Sequence, residues 1–252
     1  MGRSPLSHTT AVVLAGGLGT RLRSVTGELP KVLAPVLGRP YLRFVLDQLE
    51  RAGLTEVLIC TGYRSAEVEA SIGTRHGTLS VGYSAEPAPL GTGGALRYAL
   101  GKMRHEELLV LNGDSFVEAD LGSFTQLHRS SGAKASLLLT EVPEVGRYGS
   151  VQTDQAGAIL GFSEKGGHSG CGTINAGVYL LGRDLIAALP EGRELSLERE
   201  VFPFLVGQGF YGFNLGRRFI DIGTPESYRE VGAFFCAAGA GAYTTWQREH
   251  AQ

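Results

Sequence analysis

Cysteine is scarce in this chain of 252 residues: Cys60, Cys171 and Cys236 stand singly and are odd in number. Such a set builds neither a disulfide framework nor a metal knuckle, and it fits a reducing cytoplasm. The six histidines (His8, His76, His105, His128, His168 and His250) fall at no metal-ligand spacing, so no zinc site is expected. Long hydrophobic runs are absent: nothing reaches the ~18 residues of a membrane span. Met1–Thr9 carries one Arg and no apolar stretch of the kind a secretory signal has. An excess of one charge is missing too, since the formal net charge is −2, so no basic field points to DNA or RNA. There is no linker and no repeat. The expectation is a cytoplasmic protein without membrane or nucleic-acid partners.

Glycine is plentiful, with 37 residues, roughly twice the usual share. Proline and glycine together make 47 residues, below the ~25–30% of a low-complexity chain. With 43% hydrophobic residues the chain can bury a core. Continuous apolar runs at Thr10–Ala15, Glu56–Thr61 and Glu107–Leu111 read as buried strands. Between them, Tyr41–Ala52 places Leu42, Val45, Leu46 and Leu49 on one helical face and stops at Gly53. Ser65–Ile72, with Ser65 as N-cap, and Gly93–Leu100 are further helices. This alternation predicts βαβ units and a mostly parallel sheet. After Gly132 the pattern turns to strands at Ala135–Glu141, Gly149–Thr153, Ala158–Ser163 and Thr173–Leu181, giving a mixed sheet. Two helices follow, Leu197–Leu205 and Pro225–Ala238, the latter with Thr224 as N-cap and Pro225 at its first position. The expected organisation is one α/β Rossmann-like domain over residues 9–238, with a mixed, mostly parallel central sheet flanked by helices. Residues 1–8 are expected to be disordered and 239–252 loosely ordered.

The first strand runs into Leu14-Ala-Gly-Gly-Leu-Gly-Thr-Arg21. Glycines there let the backbone approach a phosphate or a base, with N–H groups as donors. The P-loop ending Gly-Lys-Ser/Thr is absent. The dinucleotide fingerprint also fails, with Leu22 where its third glycine belongs and Thr61-Gly62 where its acidic residue belongs. Ten residues on, Leu29-Pro-Lys-Val-Leu-Ala-Pro35 holds Lys31 on a stiff segment, so Arg21 and Lys31 flank one glycine loop.

These two separated halves together resemble the signature of the sugar-1-phosphate nucleotidylyltransferases, and later segments match that family in order over about residues 9–238. The resemblance implies that Leu14, Ala15, Gly16, Gly17, Gly19 and Thr20 hold a nucleoside triphosphate whose phosphates meet Arg21 and Lys31. It implies that Glu86-Pro-Ala-Pro-Leu-Gly-Thr-Gly-Gly94, with Glu86, Gly91 and Thr92, contacts the base. Asp114 of Asn112-Gly-Asp114 and Asp221 of Phe219-Ile-Asp-Ile-Gly-Thr-Pro225 become ligands of Mg²⁺, a cation that needs few protein oxygens. Arg147-Tyr-Gly149, Glu164-Lys165 and Asn175-Ala-Gly177 become the sugar side. There Gly149, Glu164 and Asn175 meet hydroxyls, and Lys165 meets the sugar phosphate.

The implied reaction is in-line attack of a sugar-1-phosphate oxygen on the α-phosphorus of an NTP, releasing pyrophosphate. No general base is required, because a second phosphate pKa of ~6 leaves the nucleophile ionised. The work is positioning and charge neutralisation. About 30 residues follow Asp221, so no C-terminal acetyltransferase or β-helix domain is expected. The texture is most similar to the D-glycero-α-D-manno-heptose-1-phosphate guanylyltransferases, through Asn112–Phe116, Leu195–Phe202 and Phe219–Glu226. Arg199 stands where that group would carry Lys. Guanine offers adjacent N–H and NH₂ donors that a carboxylate such as Glu86 can accept together; thymine would prefer an amide, and adenine stays a rival. Transfer of other nucleotides to hexose 1-phosphates, a metal-dependent glycosyltransferase and a non-catalytic nucleotide-sugar-binding regulator are the alternatives. The glycosyltransferase would want an Asp-x-Asp pair, which Asp114-Ser-Phe is not. The family leaves room for a homodimer.

Overall fold

The computed structural model describes residues 5–163 and 169–237. The first βαβ units contain β1 (Thr9–Ala15), the single turn α1 (Arg23–Thr26), the small ribbon β2 (Pro35–Val36) and β3 (Arg39–Pro40), then α2 (Leu42–Arg51) and β4 (Glu56–Thr61). They continue with α3 (Ser65–Ile72), β5 (Arg75–His76), β6 (Leu79–Ala85), α4 (Gly91–Ala99) and β7 (Glu107–Asn112). The second half adds β8 (Ser115–Val117), α5 (Leu121–Ser130), β9 (Ala135–Val142), β10 (Ser150–Thr153), β11 (Ile159–Ser163) and β12 (Gly172–Gly182). It closes with α6 (Arg183–Ala187), α7 (Phe202–Leu205), β13 (Phe210–Gly216), β14 (Phe219–Asp221) and α8 (Pro225–Ala237).

Eight strands form one mixed sheet in the order β13-β9-β12-β7-β1-β4-β6-β5. β1 is parallel to β4 and β7, and β4 to β6, while β12 runs antiparallel between β7 and β9. The strands are continuous apolar runs because both faces are covered. Ala11, Val13, Val57, Ile59, Leu109 and Leu111 meet Phe44, Leu49, Val68, Phe124 and Phe235 on one face. On the other, Val12, Leu58, Cys60, Leu108, Val110 and Tyr179 meet Leu96, Ala99, Ile186 and Phe202.

Topology places the site. From β1 the chain builds outward through β4 to β6, and α4 then carries it back to β7 on the other side of β1. The carboxyl ends of β1 and β7 therefore meet at a reversal of strand order, where open α/β sheets take their ligands. The ribbon β8–β14 pairs Asp221 with Ser115 and so brings the far end of the chain to the same crevice.

Local chemistry sets the ends. Gly53 (φ 85) stops α2, with Leu54 N donating to Leu49 O at 3.2 Å. Thr224 caps α8, its Oγ1 accepting from Ser227 N at 3.3 Å, and Pro225 takes the first helical position. Ser65 is not the N-cap expected of it. Arg64 stands there in the left-handed region (φ 52, ψ 44) with no side-chain cap, and Ser65 is the first helical residue. Leu197–Leu205 is not one regular helix: a π turn over Leu197–Val201 precedes α7, because Pro203 has no N–H to continue an α ladder. Within the start expected to be disordered, residues 5–8 form a turn with Leu6 buried, and Arg129 donates to Pro5 O at 2.7 Å. Residues 1–4 and the tail from 238 lie outside the described residues.

Asp120 is the N-cap of α5, accepting from Gly122 N at 2.9 Å and Ser123 N at 3.2 Å. The Ser123 hydroxyl and N–H hold its carboxyl below the usual range, so the cap is intact at neutral pH and fades as pH falls through that lowered value. Asp120→Ala is expected to cost about 1 kcal/mol, seen as a lower urea midpoint with turnover unchanged.

Candidate active site

The floor of the crevice is built by close backbone approach. Gly113 N donates to Leu14 O at 2.8 Å, and a Cβ on residue 113 would lie 2.7 Å from that oxygen. The first turn after Ala15 is glycine for a related reason. A Cβ on Gly16 would fall 2.6 Å from Glu86 Oε1, so the Glu86 carboxylate sits against the loop. Gly19 takes φ 60 and packs over Lys31, whose Cβ is 2.9 Å from where its own would be. Gly17 faces open space. Thr20 and Arg21, on the 3₁₀ turn Thr20–Leu22, are exposed while Leu22 anchors that turn in the core.

Two carboxylates and their cations gather beside this loop. Lys31 Nζ donates to Asp114 Oδ2 at 2.7 Å, and only 13% of the Lys31 side chain is exposed. Ile222 N donates to Asp114 O at 2.9 Å, which holds Asp221 next to Asp114. Asp221 accepts from Gly223 N at 2.6 Å, the Tyr148 hydroxyl at 2.6 Å and Arg147 at 3.1 Å. Burial and the Asp221 carboxylate push the Tyr148 phenol well above its ordinary range, so it stays a donor. Under the pair lies Tyr41, fully buried, whose phenol is raised by burial and by the fields of Asp114 and Asp221. Among the described residues no cluster of three or more His, Cys, Asp or Glu forms a metal site. Asp114 and Asp221 offer hard oxygen ligands of the kind Mg²⁺ takes.

Glu86, expected to meet the base, is half-buried just past the end of β6. Burial raises its pKa, while Leu90 N donates to Oε2 at 3.3 Å. The start of α4 is closed by a backbone contact from a distant segment. Gly93 N and Gly94 N both donate to Leu195 O, at 2.8 and 3.3 Å, so these N–H groups are spent within the chain. Gly91 (φ 68) is required there, since its Cβ would lie 2.6 Å from Leu195 O. Thr92 Oγ1 donates to Glu198 Oε2 at 2.9 Å and accepts from Leu197 N at 2.8 Å.

On β12 a bulge between Asn175 and Tyr179 turns the Asn175 amide, expected on the sugar side, toward Tyr179. Tyr179 OH accepts from Asn175 Nδ2 at 3.3 Å and Asn112 Nδ2 at 3.1 Å, and donates to Glu198 Oε1 at 3.0 Å. Gly149 (φ 76) follows Tyr148, its N–H bonded to Val145 O at 3.0 Å. Glu164 and Lys165 lie outside the described residues. Three groups at the site escape a linear reading. Tyr179 and Glu198 join the two sides through one hydrogen-bond network. Gly62, whose Cβ would meet Glu86 Oε1 at 2.6 Å and Gly16 O at 2.9 Å, joins the loops after β1 and β4.

The family described as nucleotidyl transferase matches residues 10–237. The chain belongs to that family. This nucleotidyl transferase is 38% identical, over 88% of its length and 96% of the relative's, to the D-glycero-alpha-D-manno-heptose 1-phosphate guanylyltransferase of Aneurinibacillus thermoaerophilus. It is 40% identical, over 86% of its length, to the mannose-1-phosphate guanylyltransferase of Mycobacterium tuberculosis, of which it spans 62%. HddC from Yersinia pseudotuberculosis shares its structure with a TM-score of 0.80 and 33% identity, covering 90% of this chain and 99% of that one. A second HddC structure, complexed with GMP-PN, gives 0.79. No helix among the described residues is long and apolar enough to cross a membrane.

Gly62 gives a direct check on the floor of the site. Gly62→Ala is expected to cost about 1–3 kcal/mol through overpacking against Gly16 O, read as a lower urea midpoint.

Proposed function

We propose that this nucleotidyl transferase moves GMP from GTP to D-glycero-α-D-manno-heptose 1-phosphate, giving GDP-heptose and pyrophosphate. The observation that carries the reading is the meeting of the glycine loop, Lys31, Asp114 and Asp221 at one strand-order reversal. Two anions must approach each other there, and the chain supplies cations at the place of approach. Arg21, exposed on the loop, and Lys31 take the triphosphate. Lys165 takes the acceptor phosphate, and Arg147 lies on the same side as Asp221. Gly149, Glu164 and Asn175 bind sugar hydroxyls, Asn175 with its amide steadied by Tyr179.

Asp114 and Asp221 would hold Mg²⁺, which when bound would supply charge neutralisation on the phosphates. The two carboxylates, brought together by the Ile222–Asp114 backbone bond, fit such an ion. The nucleophile is already ionised near neutral pH, so no side chain has to remove a proton. What the residues contribute is alignment of the acceptor oxygen with the α-phosphorus and compensation of developing charge.

Glu86 supports guanine. Its carboxylate is drawn partly out of water and receives Leu90 N–H, leaving acceptor capacity for the two adjacent donors of a guanine edge. Mannose 1-phosphate is the second reading for the acceptor, favoured by the mycobacterial relative at 40% identity. Reaction in the cytoplasm and action as a homodimer complete the proposal.

The deciding experiment is a matrix of NTPs against heptose and hexose 1-phosphates, read by pyrophosphate release. GTP with the heptose phosphate is expected to lead; no release from any pair would favour a binding protein and sink the reading. Asp114→Ala and Lys165→Ala are each expected to lower kcat about a hundredfold or more. Near-full activity in either would remove that residue from the site. Glu86→Gln is expected to raise the KM for GTP about tenfold, narrowing the margin over ATP.

A further inference from the structure

The phosphate loop is a long segment with little holding it. Between Gly16 and Leu29 the single buried residue is Leu22, while Leu18 and Val25 are 47% and 49% exposed. A loop so poorly anchored by apolar contacts is expected to sample many conformations. Yet its return limb is tied down by polar contacts from a different element, the turn between β4 and α3. Tyr63 OH donates to Glu28 Oε2 at 2.5 Å, and Arg64 Nη1 donates to Glu28 O at 2.7 Å. Arg23 lies over the Tyr63 ring at 5.1 Å from its centroid. Both the Tyr63 hydroxyl and the Arg23 guanidinium hold the Glu28 carboxyl below its usual range, so it is anionic in this contact. At the other end of the turn, Tyr63 N faces Gly16 O at 3.5 Å.

Backbone strain points the same way. Arg64 sits in the left-handed region at φ 52, one of two non-glycine residues at positive φ among the described residues. That conformation turns its guanidinium to Glu28 O on the loop, while Nε holds Glu67 Oε1 at 2.6 Å on α3. Strain of this kind persists where surrounding contacts fix it.

We propose that Tyr63 and Arg64 form a strap that holds the phosphate loop closed before the nucleotide arrives. They are positioning residues: they act through Glu28 on the segment that carries Arg21 and Lys31. The proposal rests on the reading of that loop as the triphosphate site. Affinity for a ligand falls by the fraction of molecules whose site is competent, so a strap that keeps this fraction high lowers the KM for the NTP without entering the chemistry. The sugar-phosphate side, carried by β12 and the β10–β11 hairpin, is untouched by it. The strap also keeps the Glu28 carboxylate turned toward Tyr63 and Arg23 at a site built for anions.

The test uses the full chain with Tyr63→Phe, Arg64→Gly, Glu28→Gln and Arg21→Ala. Without nucleotide, amide exchange at Ser24–Leu29 is expected to quicken several-fold in Tyr63→Phe and Arg64→Gly, with the sheet unaffected. Glu28→Gln, which still offers the phenol an acceptor, is expected to stay near wild type. In turnover, Tyr63→Phe is expected to raise the KM for GTP about three- to tenfold, leaving kcat and the KM for the sugar 1-phosphate within about twofold. Unchanged exchange and unchanged GTP KM in Tyr63→Phe would overturn the strap. So would a rise in both KM values together with a fall in thermal stability, which marks a general structural role. Arg21→Ala separates the two claims. If it leaves the GTP KM unchanged, the loop reading fails; if it raises that KM while Tyr63→Phe does not, only the strap fails.

Discussion

The whole site depends on where β1 lies. It is flanked by two parallel strands that the chain reaches in opposite directions, β4 first and β7 later. The bond from Gly113 N to Leu14 O closes the gap between their ends. Glycines at 16 and 62 are needed because the Glu86 carboxylate and the loops after β1 and β4 leave no room for a Cβ, and Gly113 because its own would strike Leu14 O. Once that junction is fixed, Lys31 comes up beneath the loop, Asp114 leaves β7 beside it, and the β8–β14 ribbon delivers Asp221. Chemistry is thereby assembled from residues 14 to 221 by a few backbone contacts rather than by a contiguous stretch of chain.

Much of this was legible because the informative residues are consecutive. The loop from Leu14 to Arg21, the Lys31 segment, Asn112–Asp114 and Phe219–Pro225 each follow or precede a strong apolar run, and the runs marked the strands closely. Weaker elements did not stand out. β6 reads Leu-Ser-Val-Gly-Tyr-Ser-Ala, with Ser80 and Gly82 exposed near the sheet edge, so its apolar signal is diluted. β13 contains Gly212 and Gly216, which read as turn residues. In the sheet they are there because a Cβ would lie 2.6 Å from a Leu139 methyl carbon or 2.5 Å from Thr140 Cβ. α5 was hidden by Gly122 inside its first turn and is secured by the Asp120 cap.

The site's second layer was illegible for a different reason. Tyr179 sits in Val-Tyr-Leu-Leu and is fully buried, which in a sequence is indistinguishable from a core aromatic. Its hydroxyl matters because Asn112, Asn175 and Glu198 converge on it from three elements. Tyr63 and Arg64 likewise carry no motif. Their contact with Glu28 exists because β4 ends beside β1, a fact of strand order rather than of spacing. Nothing in the sequence shows that the N–H groups of Gly93 and Gly94 are taken, since Leu195, about a hundred residues away, supplies the acceptor.

Neither carboxylate of the crevice stands alone. Lys31 is paired with Asp114 and Arg147 with Asp221, so each of the two carboxylates already has a cation beside it. On the proposed reading, an anion arriving alone would take a cation from its carboxylate and leave that carboxylate uncompensated, at a modest cost because the Asp114 side chain is 46% exposed. A cation arriving alone faces the mirror-image penalty. An anion and a cation arriving together exchange partners and leave no charge stranded. On that reading the two binding events would be linked, each strengthening the other by the same factor. Such a cleft would favour the two ions together over either one alone.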